Sequence, residues 1–292
     1  MPTVNPLVSI GLPVRNAGDR VAEVVKSVLA QDHAHVELVI TDNASTDDTE
    51  AVCRELAASD SRIVYHRQAE NIGLLGNFQY AIRAASGTFF RWIGDDDRLE
   101  PTFASRCLAV FAEDPELILV TTGISYTGPD GPAQTARYSG SALGSTDPVE
   151  RFREMLRLLN QSHLLIDPLY GMVRRAPVAA IPRRNMLRED EVFATKLALA
   201  GPWGHVPDVL AHRVWKAERL GVVGRRLGVP AWQARFANTV QVREMLRWLR
   251  SIDLTAEQRR RARAAVYGMY LRREWGMVRR RGRKLVRMAL AR

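Results

Sequence analysis

From Leu7 to Thr122 the chain alternates short apolar runs with amphipathic stretches, and few folds accept that order. The runs Leu7–Leu12, Val36–Thr41, Arg62–His66, Thr88–Ile93 and Leu117–Thr122 read as strands. Between them, Asp19–Gln31 carries Val21, Val24, Val25, Val28 and Leu29 on one helical face. A second helix, capped by Thr46 or Asp47, turns Val52, Cys53 and Leu56 inward. Leu75–Ala85 is a third, stopped by Gly87, and Pro101–Glu113 a fourth. Such alternation requires a mainly parallel sheet with helices on both faces, an α/β architecture. Ligands of such sheets bind beyond the carboxyl ends of the strands.

Those ends are polar here. They read Pro13-Val14-Arg15-Asn16, Asp42-Asn43-Ala44-Ser45-Thr46, Gln68-Ala-Glu-Asn71-Ile-Gly73 and Asp95-Asp96-Asp97. Each alone is ordinary turn chemistry, but four in succession favour a site. Three adjacent carboxylates repel one another and cannot all be buried unpaired. At a sheet edge they suit a hard divalent cation that in turn binds phosphate. An acidic turn opening the helix at Pro101 would look the same, so the triplet alone leaves both readings open.

Beyond Thr122 the pattern loosens. Gly123–Gly144 is rich in Gly, Pro and Ser and reads as a loop or hairpin. Pro148–Leu159 is helical, Leu169–Arg174 a strand, and Leu187–Leu199 a helix with Glu189-Asp190-Glu191 in its first turn. His205–Val214 is the last strand, and Trp232–Ser251 and Thr255–Leu290 are helical. Charge divides the chain of 292 residues: 1–212 hold 20 basic and 27 acidic residues, whereas 213–292 hold 22 and 5, or +17. No apolar stretch is long enough to span a membrane, and Met1-Pro-Thr-Val-Asn-Pro6 shows no secretory pattern. Cys53 and Cys107 read as two reduced thiols, so a cytoplasmic protein is expected.

The ordered series of motifs resembles the family 2 glycosyltransferases. It comprises Val8-Ser-Ile-Gly-Leu-Pro-Val-Arg-Asn16, Thr41-Asp-Asn-Ala-Ser-Thr-Asp-Asp-Thr49, Glu70-Asn-Ile-Gly73, Ala85-Ser-Gly87, the Asp triplet with Pro101, Tyr170-Gly-Met-Val-Arg-Arg175, and Asp190 before Leu197-Ala-Leu-Ala-Gly-Pro202. The resemblance implies a GT-A fold over about 1–215, with 216–292 as a basic helical extension. It also implies a nucleotide-diphosphate sugar as donor, UDP-, dTDP- or GDP-linked. Pro13, Val14, Arg15 and Asn16 would then lie along the nucleotide, Asp42 would accept a hydrogen bond from the base, and Asn71, Gly73 and Asn77 would line the same pocket. Asp95 would help bind the donor, and Asp96, Asp97 and Asp95, in that order, would hold Mg²⁺ or Mn²⁺. Asp190, eleven residues before Gly201, would be the general base of an inverting transfer. Without the resemblance, the same carboxylates read as favourable charge at a helix N-terminus.

Three departures stand out. Counting back from Pro101 puts Gly94 where the first Asp of the family's Asp-x-Asp-Asp run falls; Arg213-Val-Trp215 stands where relatives carry Arg-x-His; and Gln79 replaces a second Asn, whose role Asn77 would take. The Gln-x-x-Arg-Trp signature of processive synthases is absent, which favours adding one sugar to an acceptor hydroxyl, on a lipid-linked glycan or a small molecule. The Gly123–Gly144 loop and the Ser162–Asp167 region would shape the acceptor side. In the basic tail, Arg259-Arg-Arg261, Arg272-Arg273, Arg279-Arg-Arg281 and Arg283-Lys284 interleave with Tyr270, Leu271 and Trp275, suiting either an anionic membrane surface or packing on the body. Nucleic acid is disfavoured, since no recognised module accompanies the charge. Two other functions fit less well: a sugar-phosphate nucleotidyltransferase, whose Gly-rich loop is missing after the first strand, and a non-catalytic binding or membrane scaffold.

Overall fold

The computed structural model describes residues 5–290 apart from 19, 129–130, 163 and 216–217, with side chains as far as Arg279. The expected helix start at Asp19, the N-terminal 1–4 and the basic side chains after Arg279 lie outside the described residues. The body runs β1 (Val8–Val14), α1 (Arg20–Leu29), β2 (Val36–Asp42), α2 (Thr49–Ser59), β3 (Ile63–Arg67), α3 (Leu74–Ala84), β4 (Phe89–Trp92), β5 (Arg98–Leu99) and α4 (Phe103–Glu113). It continues with β6 (Leu119–Thr127), β7 (Gln134–Thr135), α5 (Pro148–Leu158), β8 (Met172–Arg174), α6 (Arg175–Ala179), α7 (Glu189–Ala200) and β9 (Trp203–Val214). Four helices follow: α8 (Leu220–Arg226), α9 (Trp232–Arg235), α10 (Ala237–Ser251) and α11 (Ala256–Leu290).

The strands make one mixed sheet in the order β3-β2-β1-β4-β8-β6-β9-β5, with β7 beside β6. Strands β3, β2, β1 and β4 are parallel, as the alternation requires. The short β8 runs antiparallel between β4 and β6, and β5 antiparallel to β9. One face of the sheet buries Val21, Val24, Val25 and Val28 of α1 with Cys53, Phe103 and Cys107. The other buries Ala81, Phe90, Trp92, Phe193 and Leu197. Gly11 of β1 permits that second face to close, because a Cβ there would meet the Phe90 ring at 2.5 Å.

Several local expectations shift. Helix α2 starts at Thr49 because Thr46 is held by Asn16, while Asp47 accepts from the Thr49 amide at 3.1 Å. Helix α3 ends at extended Ala85, not at Gly87; Gly87 sits where β4 approaches β1, and its N–H donates to Ser9 Oγ. Residues Arg98 and Leu99 form β5 before α4 begins at Phe103, and the Gly123–Gly144 stretch contains the end of β6 and its hairpin partner β7. The tail packs: Val242, Met245 and Leu249 of α10 and Ala262, Val266 and Met269 of α11 bury against Phe152 of α5 and Val192 of α7. No helix of the described residues is long and apolar enough to cross a membrane.

Candidate active site

The polar strand ends form one connected surface at the carboxyl edge. Asn16, in left-handed conformation (φ 54°), donates its N–H to Ser45 Oγ and accepts from the Thr46 amide, both at 2.9 Å. Loop β1–α1 is thereby fixed to loop β2–α2. Asn43 does the same for the loop after β3: its amide donates to Asn71 Oδ1 at 2.8 Å and to the Gly73 carbonyl at 3.2 Å, and its oxygen accepts from the Ile72 amide. Gly73, at φ 81°, opens α3. Buried Asn77 donates to the carbonyls of Val14 and Thr41, holding the ends of β1 and β2 together. Pro13 and Val14 close β1, and Arg15, Asn16 and Asn71 are exposed on the loops.

Asp42 departs from the expected picture. Its side chain is fully buried; one oxygen accepts from the amide and hydroxyl of Ser45, and the other from Tyr65 Oη at 2.9 Å. As folded it shapes the loop, and a base would have to compete with three donors already in place. Asn43, exposed by no motif of its own, carries more of the loop's hydrogen bonding than Asp42's neighbours suggested.

The Asp triplet divides three ways. Asp95 pairs with Arg20 of α1 at 2.5 Å. Asp96 is exposed at the tip of the turn. Asp97 is buried; it accepts from the Gly94 amide at 3.0 Å and pairs with Arg213 Nε at 3.1 Å. A Cβ at Gly94 would stand 3.0 Å from the Asp97 carboxylate, so a side chain there would require Asp97 to shift by a few tenths of an ångström. Among the described residues, no three His, Cys, Asp or Glu side chains are grouped to hold a metal ion by themselves. The donor chemistry still fits a hard cation of the Mg²⁺ type, which needs only one or two carboxylates when substrate phosphates supply other oxygens. Asp96 and Asp95 carry such oxygens at the surface of the turn, those of Asp95 shared with Arg20, whereas Asp97 is buried against the turn and Arg213.

Behind the turn, Arg91 of β4 is fully buried, donates Nε to the Tyr170 carbonyl at 2.9 Å and lies 4.6 Å over the Phe103 ring. Burial lowers its guanidinium to about 10, and the nearby Asp97 charge opposes that.

Next to the turn lies a cavity of about 510 Å³ lined by Phe78, Tyr126, Asp167, Tyr170, Asp190, Arg213 and Trp215, among others. Ser162 and Ile166 of the 162–167 region also line it. Arg213, at the end of β9, is a fixed cation of its wall. It bonds Asp97 on one side and Asp167 at 2.6 Å on the other, and its guanidinium stacks 3.4 Å from the Tyr170 ring centre. Burial alone would lower it, but Tyr170, Asp167 and Asp97 hold it well above its usual range. Asp167, which ends the 162–167 region expected to shape the acceptor side, caps the short turn Pro168–Tyr170; its pairing with Arg213 carried no signal in the sequence.

The first turn of α7 separates its three carboxylates. Glu189 is clamped by Arg183 at 2.6 Å and Glu191 by Arg188 and Arg273 at 2.5 and 2.8 Å. Asp190 is exposed to the cavity. Enclosure by the cavity walls, with Glu191, Glu189 and Asp167 close by, pushes its carboxyl up to about 6. A carboxyl so tuned accepts a proton near neutral pH far better than an ordinary aspartate.

Comparison with known proteins bears on the family and the fold. The family model described as glycosyl transferase family 2 matches residues 9–181. The chain is 31% identical over 198 residues to a putative teichuronic acid biosynthesis glycosyltransferase, TuaG, of Bacillus subtilis, covering 66% of this chain and 72% of that one. It is 34% identical over 117 residues to a chondroitin synthase of Escherichia coli, 40% of this chain but 17% of that longer protein. Among solved structures, S. aureus TarS 1-349 in complex with UDP-GlcNAc superposes with a TM-score of 0.65 at 17% identity, over 90% of this chain and 72% of that one. The mannosyltransferase PcManGT from Pyrobaculum calidifontis, in complex with GDP-Man and Mn²⁺, superposes at 0.54 with 15% identity, over 94% of this chain and 89% of that one.

Proposed function

The chain belongs to glycosyl transferase family 2, with its GT-A fold, and is a glycosyltransferase; from that premise we propose an inverting transfer of a single sugar from a nucleotide-diphosphate sugar to an acceptor hydroxyl. Membership sets aside the nucleotidyltransferase and the non-catalytic scaffold. The observation that carries the proposal is the first turn of α7, where Glu189 and Glu191 are spent on arginines while Asp190, raised to about 6, stands at the cavity wall.

In this reading Asp190 takes the proton of the acceptor hydroxyl as its oxygen attacks the anomeric carbon. The bond from that carbon to the diphosphate oxygen breaks, and the nucleoside diphosphate leaves with the electron pair. The nucleotide lies along Pro13–Asn16 and the Asn43-braced loop with Asn71 and Gly73. Arg213, held between Asp97 and Asp167, would present N–H donors rather than net positive charge on the leaving-group side of the cavity. A Mg²⁺ or Mn²⁺ held by Asp96 with Asp95 would neutralise the diphosphate without any proton transfer; the solved relative with GDP-Man and Mn²⁺ supports that expectation. The donor carries UDP, dTDP or GDP, with UDP favoured by the UDP-GlcNAc complex of the fold neighbour. Residues 1–215 would hold this machinery, and the basic extension 216–292 would attach the enzyme to an anionic membrane carrying a lipid-linked glycan acceptor, a small-molecule acceptor being the other case.

Isothermal titration with UDP, dTDP and GDP, each with Mn²⁺ and with EDTA, on the parent and on Asp96→Ala tests the donor side. Binding of one nucleotide that requires metal and is lost in the variant is expected. Absence of binding by all three would end the donor assignment. Anomeric configuration of the product, read by ¹H NMR, tests inversion directly.

A further inference from the structure

A second cavity, of about 370 Å³, adjoins the first. It lies between the end of α5, the start of α7, the start of α10 and the middle of α11, and both cavities are lined by Leu159 and Arg188. Its polar lining is Arg188, Arg272, Arg273, Asn160 and Asn238, and no carboxylate lines it. Arg273 is fixed in place, donating to Asn160, Gln241 and the Leu159 carbonyl while pairing with Glu191. Arg272 is exposed, and no carboxylate within salt-bridge distance engages it among the described residues. Two buried polar atoms of the lining have no protein partner: Arg188 Nε, a donor, and Asn238 Oδ1, an acceptor. Each such atom costs free energy unless a ligand or water completes it. Arg188 itself is held in left-handed conformation, φ 62°, two residues before Asp190.

An orphaned donor, an orphaned acceptor and an uncommitted guanidinium describe a ligand that carries hydroxyls and negative charge. We infer that this cavity is an acceptor subsite, holding an anionic group, phosphate or carboxylate, adjacent to the sugar or alcohol that receives the transfer; the inference rests on the proposed role of Asp190. Phosphate would come from the linkage of a glycolipid and carboxylate from an acidic sugar. Arg272 binds the charge, Arg188, whose Nη1 pairs with Glu191, adds a hydrogen bond from its unpartnered Nε, and Asn238 takes a hydroxyl.

The test is isothermal titration of the full chain, with its donor pocket saturated by UDP, using N-acetylglucosamine 1-phosphate, glucuronic acid and uncharged methyl β-glucoside. At least one charged probe should bind about tenfold more tightly than the glucoside, and Arg272→Gln should remove that advantage. Arg260→Gln, at an exposed arginine away from the cavity, should leave it intact. A preference for the phosphate names a glycolipid linkage, and a preference for glucuronate an acidic sugar. Equal binding of all three probes, binding by none, or indifference to Arg272→Gln overturns the subsite. Should UDP itself fail to bind, the donor reading fails separately, and the same titrations without UDP still decide this cavity.

Discussion

At the scale of single residues, the carboxylates of this protein are told apart by their partners rather than by their order in the chain. Asp190 has a folded pKa of about 6 against an ordinary value near 3.8. As a general base it works only when ionised, so kcat/KM should fall about tenfold per pH unit below about 6 and level off above it. Asp190→Asn should remove at least about a hundredfold of turnover while nucleotide binding persists. The same shift has a stability consequence with the opposite sense. Between about pH 4 and 6 the folded protein holds a proton that the unfolded chain has released, so stability declines as pH rises through that window. Asp190→Asn should therefore melt higher than the parent at pH 7 and equally at pH 4, measured by scanning calorimetry; an Asn variant that melts lower at pH 7 would show the carboxylate to be structurally favourable. Asp96 and Asp97 make the complementary pair. Removing Asp97 leaves Arg213 short of a counter-charge and Arg91 without its nearest anion, so Asp97→Ala should cost about 3–5 kcal/mol by urea unfolding. Asp96→Ala, at an exposed tip, should cost within about 0.5 kcal/mol and act on nucleotide binding instead.

At the scale of elements, the parallel half of the sheet was legible because each strand is a continuous apolar run and each helix a 3.6-residue stripe. The antiparallel strands β5 and β7 were not, being two residues each, too short for any periodicity to register, whereas β8 falls within the run Leu169–Arg174 that reads as a strand. Motif order located the strand-end loops, yet hid which residue braces them. Asp42 stood out by its charge and proved buried among local donors; Asn43 beside it spans three loop groups that lie about thirty residues further along, a contact that no local pattern encodes. Likewise Arg213, Asp97 and Asp167 meet only because β9, the β4–β5 turn and the segment before Tyr170 converge at one edge. Asn43→Ala should free the loop at Asn71–Gly73, raising the dissociation constant of the bound nucleotide by about tenfold, since at least one to two net hydrogen bonds of about 1 kcal/mol each are lost. Titration on the variant checks this, and an unchanged constant would mean that the loop does not touch the nucleotide.

At the scale of the molecule, packing takes one face of α11, and the membrane attachment proposed above would fall to the opposite face. The inner face of α11 packs, through Ala262, Val266 and Met269, on the body. Its opposite face carries Tyr267, Leu271, Trp275 and Val278 at spacings of four, four and three residues, each between 45% and 65% exposed. Arg263 lies on one flank of this stripe and Arg272 and Arg279 on the other, all exposed. Four outward apolar side chains between rows of arginine match the boundary layer of an anionic bilayer better than they match water. With Arg272 given to the second cavity, Arg263 and Arg279 near such a surface contribute about 1 kcal/mol each, so charge alone should raise partitioning on the order of thirtyfold. The full chain should therefore sediment with vesicles of phosphatidylcholine and phosphatidylglycerol but weakly with phosphatidylcholine alone, and 0.5 M salt should release most of it. Leu271→Glu with Trp275→Glu should abolish sedimentation while leaving turnover of a water-soluble acceptor intact, because neither side chain faces the cavities. Were the double variant instead to abolish a dimer detected by analytical ultracentrifugation, with vesicle binding absent throughout, the stripe would belong to a second copy of the chain. In the expected case the same helix carries the membrane stripe outward and Arg272 and Arg273 toward the second cavity, so a lipid-linked acceptor would find its anchor and its anionic linkage recognised by neighbouring turns of α11.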